Sequence, residues 1–176
     1  MIELEVQKLS DPVRVLGIDP GFGTLGYGII EARASRVDLV AYGAIKTESG
    51  EPIPDRLLKI YDELEAITRK YSPHESAVEE LFFFRNVTTA IEVGEARGVI
   101  LLVLRRLCVP IYEYTPHQVK MAVTGYGKAE KGQIQRTLKA FLGMSETPKP
   151  DDAADALAVA WCHISSRRFP GGVRNV

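Results

Sequence analysis

Two kinds of apolar segment alternate along this chain. Residues 13–19, 26–32, 37–47, 77–79 and 109–114 are short runs rich in Val, Ile, Leu, Ala and Tyr, the composition of buried or half-buried strands. Pro20-Gly21-Phe22-Gly23-Thr24 separates the first two as a tight turn. After the third run the period changes to that of a helix. Leu57, Leu58, Tyr61, Leu64 and Ile67 share one face of a predicted helix over 54–71, which Ser72-Pro73 ends. A long, mostly buried helix is expected over 88–107, where Gly94, Ala96 and Gly98 permit close packing. Thr115-Pro116 reads as an N-cap and first-turn proline opening a short helix to about residue 123. Residues 125–127 read as a flexible break, 129–142 as an amphipathic helix and 148–150 as a stiff loop. Asp151 is expected to cap a last helix reaching about residue 168.

Three strands, then strands separated by helices, is an α/β order. It predicts a five-stranded mixed sheet, its first three strands antiparallel, flanked by helices. The domain expectation is one unit over 13–168, with a flexible lead-in over 1–12 and a flexible tail over 169–176. With 176 residues, 45% of them hydrophobic, a full core is affordable. No long apolar span predicts a membrane crossing and no signal-peptide pattern opens the chain, so a cytoplasmic location is expected. Cys108 and Cys162 lie in apolar surroundings and read as reduced core residues; no Cys/His spacing resembles a zinc site.

Net charge is −1, but it is unevenly spread. Residues 81–140 carry nine Lys/Arg against four Asp/Glu, whereas 1–80 carry nine against fifteen. A basic stretch between acidic ones suits a metal site acting on a polyanion. It also suits plain decoration of helix faces.

Four carboxylates carry the chemistry. Asp19 and Glu79 end two of the predicted strands, and Asp152 and Asp155 open the last helix, three apart and therefore on one face. A carboxylate is costly to bury unpaired. Three segments that each set acid against strongly apolar sequence suggest convergence on one site, which divalent cations would neutralise. Clustered oxygen ligands suit Mg²⁺ or Mn²⁺, and two such ions about 4 Å apart promote in-line displacement at phosphorus. Asp151 rivals Asp152, but its place after Pro150 better suits a cap. Taken alone, Asp152 and Asp155 would merely complement the helix dipole.

Lys120 and Lys131 are candidates to stabilise charge on a phosphate or to hold the flanking backbone. Either also reads as an ordinary surface lysine. Phe82-Phe83-Phe84-Arg85-Asn86 directly follows the Glu79 strand. At least two of these aromatics are expected in the core, with Phe82 the one to face unpaired bases and Arg85 a candidate DNA contact. His117 reads as a polar helix residue, and His74 and His163 carry no signal.

Leu16-Gly17-Ile18-Asp19-Pro20-Gly21, Val78-Glu79-Glu80-Leu81-Phe82, Gly94-Glu95-Ala96-Arg97-Gly98, Gln118-Val119-Lys120, Ala129-Glu130-Lys131 and Asp152-Ala153-Ala154-Asp155-Ala156-Leu157 together resemble the bacterial RuvC Holliday junction resolvases, in order and spacing, from about 13 to 168. The resemblance implies a ribonuclease H-like fold and a homodimer that cuts two like-polarity strands of four-way junction DNA, leaving 5′-phosphate and 3′-hydroxyl ends. It implies Asp19, Glu79, Asp152 and Asp155 as catalytic acids holding two Mg²⁺, or Mn²⁺ in their stead. It further implies Lys120 and Lys131 as functional lysines, Phe82 as a junction-contacting aromatic, and the RuvA and RuvB branch-migration proteins as partners. Some relatives carry His at the Asp152 position.

Three rival readings remain. Ribonuclease H, transposases and YqgF-type nucleases use acidic clusters on the same kind of sheet. The stretch from Gly17 to Gly28 resembles the phosphate hairpin of actin-like ATPases, which need a second domain that 176 residues do not supply. A junction-binding protein without activity would use the acids only to place helices.

Overall fold

The computed structural model describes residues 12–34, 36–81, 87–168 and 174–175. In chain order these form β1 (Val13–Asp19), β2 (Thr24–Arg33), β3 (Arg36–Lys46), α1 (Ile53–Tyr71), β4 (Glu75–Glu79), α2 (Val87–Arg106), β5 (Ile111–Tyr114), α3 (Pro116–Thr124), α4 (Lys131–Phe141), α5 (Asp151–Arg168) and β6 (Arg174–Asn175). The sheet runs β3-β2-β1-β4-β5-β6. Its first three strands are antiparallel, β4 and β5 join parallel to β1, and the two residues of β6 pair antiparallel to β5. The five predicted strands are therefore present in the predicted sense, with a sixth, two-residue strand at the β5 edge.

Each face of the sheet carries its own core. Leu16, Ile18, Val78, Ile60, Leu64, Ile100 and Leu104 pack between the sheet and α1/α2. Val15, Ala77, Tyr114, Val119, Ile134, Leu138 and Leu157 pack under α3, α4 and α5. Side chains alternate across a strand. Asp19 therefore shares a face with Val15, and Glu79 with Ala77, so both acids look toward α5.

Helix α5 lies unusually close to that face because the strands beneath it are glycine-lined. Gly17 pairs across the ladder with Gly28, and Asp19 with Gly26. A Cβ on Gly17 would stand 2.1 Å from the Ala156 carbonyl oxygen, one on Gly26 2.0 Å from the Asp152 carbonyl oxygen, and one on Gly28 2.8 Å from the Leu157 nitrogen. No side chain fits there. Ala153, Ala154, Ala156 and Ala160 are correspondingly small and buried on the helix.

Four expectations change. Helix α2 is half open rather than mostly buried: Ala96, Ile100, Val103 and Leu104 are inside, while Ile91 and Leu102 are exposed and a Cβ on Gly94 or Gly98 would meet nothing. An apolar sequence can mark a face left uncovered within one chain as readily as a core. Cys108 is exposed, because the chain leaves α2 there in the left-handed conformation (φ 57°) and turns the thiol outward; Cys162 is buried and free as expected. The 125–127 segment is a pinned turn rather than a flexible break. Gly125 caps α3 in the left-handed region, Thr124 Oγ1 accepts from the Tyr126 N–H, and the His117 ring fills the space a Gly127 side chain would need. Finally, Asp151 is the first residue of α5, not its cap. The Pro150 carbonyl accepts the first amide bonds, from Ala153 and Ala154, and the Asp151 carboxylate is engaged elsewhere.

Candidate active site

Backbone geometry brings the acids together. Ile18 pairs with Val78 in the parallel β1–β4 ladder, so Asp19 and Glu79 follow side by side at the strand ends. The first turn of α5 rests on Gly26, the cross-strand partner of Asp19, which carries Asp152 and then Asp155 over the same spot. The turn after Asp19 is clamped from α1: the Thr47 hydroxyl donates to the Phe22 carbonyl at 2.6 Å, Arg56 Nε donates to Thr47 Oγ1 at 3.0 Å, and the guanidinium covers the Phe22 ring at 3.7 Å. Thr115 and Gln118 form a reciprocal capping box at the start of α3, which orients the helix bearing Lys120.

The acids perturb one another. Burial, then the charges of Glu79, Asp155 and Asp152, push Asp19 up to about 8, against the opposing pull of Lys131. Burial and Asp155 push Glu79 to about 7, with Lys120 and Lys131 opposing. Burial also raises Asp155, although Lys131 donates to it at 2.8 Å. Desolvation pulls the Lys131 ammonium down, but Asp155 and Asp151 outweigh it and raise it.

Glu79, Asp155, Lys120 and Lys131 line a cleft of about 200 Å³, closed below by Pro116, Val119, Ile134 and Ala158. The donor set is all oxygen and its members resist ionising together, the chemistry that a hard divalent cation relieves. Among the described residues, no three His, Cys, Asp or Glu side chains are grouped to hold a metal ion as they stand. Lys131 supplies the positive charge at Asp155. The four predicted acids and both predicted lysines thus share one region, tied together by the charges that shift Asp19 and Glu79. Phe82 and Arg85 lie outside the described residues.

Sequence reasoning set Asp151 aside as a cap and missed His163. Asp151 faces Lys131 at 3.5 Å and accepts from Gln135 Nε2 at 3.0 Å. The i, i+4 spacing of Asp151 and Asp155 was the available signal. His163 is buried, with Nδ1 2.7 Å from the Tyr114 hydroxyl and Nε2 2.6 Å from Glu75. An isolated histidine in an apolar helix gives no warning of partners 49 and 88 residues away.

Comparison with known proteins agrees with this architecture. The sequence model for crossover junction endodeoxyribonuclease RuvC matches residues 15–163. The crossover junction endodeoxyribonuclease RuvC of Petrotoga mobilis is 59% identical over 154 residues, 88% of this chain and 94% of that protein. Thermus thermophilus RuvC superimposes with a TM-score of 0.84 at 35% identity, over 93% of this chain and 100% of that one. The same protein in complex with a Holliday junction substrate gives 0.88 at 34%, over 93% and 99%. The sheet order and flanking helices are those of the ribonuclease H-like fold these structures share. With matches of this extent in sequence and in structure, the chain belongs to the RuvC family of crossover junction endodeoxyribonucleases.

Proposed function

We propose that Asp19, Glu79, Asp152 and Asp155 form the cation-binding centre of this nuclease. As a RuvC family member the chain is an endodeoxyribonuclease that resolves Holliday junctions. The observation that carries the site assignment is the convergence of four half-buried acids from three separate segments, where desolvation first and neighbouring charge second raise Asp19 to about 8 and Glu79 to about 7. A stable fold gains nothing from that arrangement. A bound cation reverses its sign.

Two Mg²⁺ ions, for which Mn²⁺ can substitute, would activate water and stabilise the leaving 3′ oxygen, giving 5′-phosphate and 3′-hydroxyl nicks. Asp19 and Glu79 hold their oxygens at adjacent strand ends, and Asp152 and Asp155 close over them from α5. Lys120, on the capped α3, faces Glu79 across the cleft and meets the phosphate entering it. Phe82 and Arg85 follow β4 in sequence and take the junction-contacting role.

The acting unit is a homodimer. Ile91, Gly94, Gly98 and Leu102 recur at helical spacing on the open side of α2, a stripe suited to a second copy of the chain. Two-fold symmetry then offers two identical sites to a pseudo-two-fold junction, and paired incisions in like-polarity strands follow. RuvA and RuvB act with it, in the cytoplasm. No helix among the described residues is long and apolar enough to cross a membrane.

The test is Mg²⁺-dependent cleavage of a synthetic mobile four-way junction beside linear duplex and RNA–DNA hybrid. Paired symmetric nicks confined to the junction are expected, with Asp19→Asn binding the junction uncut. Cleavage of the hybrid alone, or unimpaired cutting by Asp19→Asn, would overturn the reading.

A further inference from the structure

The Lys131 ammonium stands between two carboxylates one helical turn apart on α5. It donates to Asp155 Oδ2 at 2.8 Å and lies 3.5 Å from Asp151 Oδ2. Asp151 is itself held: Gln135 Nε2, one turn along α4, donates to its Oδ1 at 3.0 Å and leaves Oδ2 to the lysine. Helix stability would not place a lysine here. As the first residue of α4 it sets a cation at the positive end of the helix, and the Glu130 side chain makes no capping bond there. The two carboxylates of α5 are what hold it.

Those carboxylates are not equivalent. Asp155 belongs to the mutually repelling acids of the cleft, its side chain 31% exposed. Asp151 is 64% exposed and is not among the charges that raise Asp19. A divalent cation at Asp155 would repel an ammonium 2.8 Å from the same oxygen. The lysine then needs a second acceptor, and Asp151 Oδ2 already stands 3.5 Å from it.

We propose that Asp151 is a positioning residue that takes the Lys131 ammonium when a divalent cation occupies Asp155. Lys131 thereby leaves the acid cluster without leaving the cleft, where it remains available to the phosphate. Gln135 is the strut that keeps Asp151 turned toward the lysine. The inference rests on the cation-binding reading of the acids given above, and it adds to it how this chain manages its own competing charge.

Mn²⁺ binding to the full chain, followed by the free-ion electron paramagnetic resonance signal, tests it without reference to cleavage. Asp151→Asn should weaken Mn²⁺ binding about two- to fivefold, the scale of one partly exposed carboxylate–ammonium contact. Lys131→Met should tighten it. The decisive measurement is the double variant: with Lys131 gone, Asp151→Asn should no longer matter. Equal weakening in both backgrounds would show Asp151 acting only as a distant negative charge, and no weakening in the wild-type background would show no action; either overturns the proposal. Gln135→Ala changes no charge and should reproduce part of the loss, so it carries the test if Asp151→Asn does not fold. Asp19→Asn should abolish binding. A wild-type chain that binds no Mn²⁺ would instead remove the cation reading itself, and the proposal with it.

Discussion

Glu75 and Glu79 stand on the same short strand, four residues apart, facing the same helix, and their environments are opposite. Glu75 is half-buried, which by itself would raise its pKa, but it accepts from His163 at 2.6 Å and lies 3.4 Å from Arg167, and its pKa falls below the usual range. Glu79 has no hydrogen bond or ion pair among the described residues; burial and Asp155 hold it near 7 against the pull of Lys120 and Lys131. His163 extends the Glu75 end into a relay by bonding the Tyr114 hydroxyl, with the Tyr112 ring tilted over the imidazole at 4.5 Å. One end of β4 is a satisfied polar latch fastening α5 to the sheet. The other is an acid whose surroundings favour its protonated form. A buried carboxylate is therefore a functional sign only when its neighbours fail to compensate it.

The strongest way to break this comparison is to neutralise one acid at each end. Asp19→Asn should lower junction cleavage in Mg²⁺ by about 10³-fold, with junction binding retained in a gel-shift assay. Glu75→Gln should leave the cleavage rate within a few-fold and act on stability instead. A protein that lost cleavage equally from both ends would show that the latch and the site are one unit.

Next in size is the approach of α5 to the sheet. Gly26→Val puts atoms where the Asp152 carbonyl sits, 2.0 Å from a Cβ. We expect a loss of about 1–3 kcal/mol in urea unfolding, and a cleavage defect larger than that instability accounts for, because Asp152 and Asp155 ride on the displaced turn. Glu75→Gln or His163→Phe should cost a comparable 1–3 kcal/mol, about the penalty of leaving a buried partner unpaired, without that added defect.

The pH dependence is the most diagnostic. An acid whose folded pKa is raised resists ionising in the native state, so its burden on stability appears above the unfolded value and grows until the folded one. In EDTA the melting temperature of the wild type should therefore fall as pH rises from about 4 toward about 8, the values between which Asp19 titrates. Asp19→Asn should flatten that slope. Glu75 works in the opposite sense: its lowered pKa contributes stability above the usual glutamate range, which is lost as pH falls through the folded value. Mn²⁺ at pH 8 should restore the wild type, because a ligand of the native state alone stabilises it.

Much of this was readable in advance. Strand and helix order follow from apolar period, and Asp19, Glu79, Asp152 and Asp155 declare themselves by interrupting apolar sequence. The Thr115 cap is local chemistry and forms as predicted, and Gln118 completes it as a capping box. What escaped was everything set by long-range packing: the solvent-facing stripe of α2, the outward Cys108, the pinned turn at Gly125 to Gly127 and the latch at His163. Asp151 shows the limit at one residue. Its composition context, acid after proline before a helix, matches a cap; its actual partners come from α4, and no local rule names them.

By itself, then, the sequence determined the elements, their order and the acids available for chemistry, because periodicity and charge are properties of neighbours along the chain. Only the tertiary structure decided which acids are frustrated and which are satisfied. Gly17, Gly26 and Gly28 let α5 settle against bare backbone, and that single approach sets Asp152 and Asp155 over Asp19 and Glu79 at one end and His163 onto Glu75 at the other. Repulsion and compensation depend on distances through space, and the sequence holds those only after the glycines have allowed the layers to close.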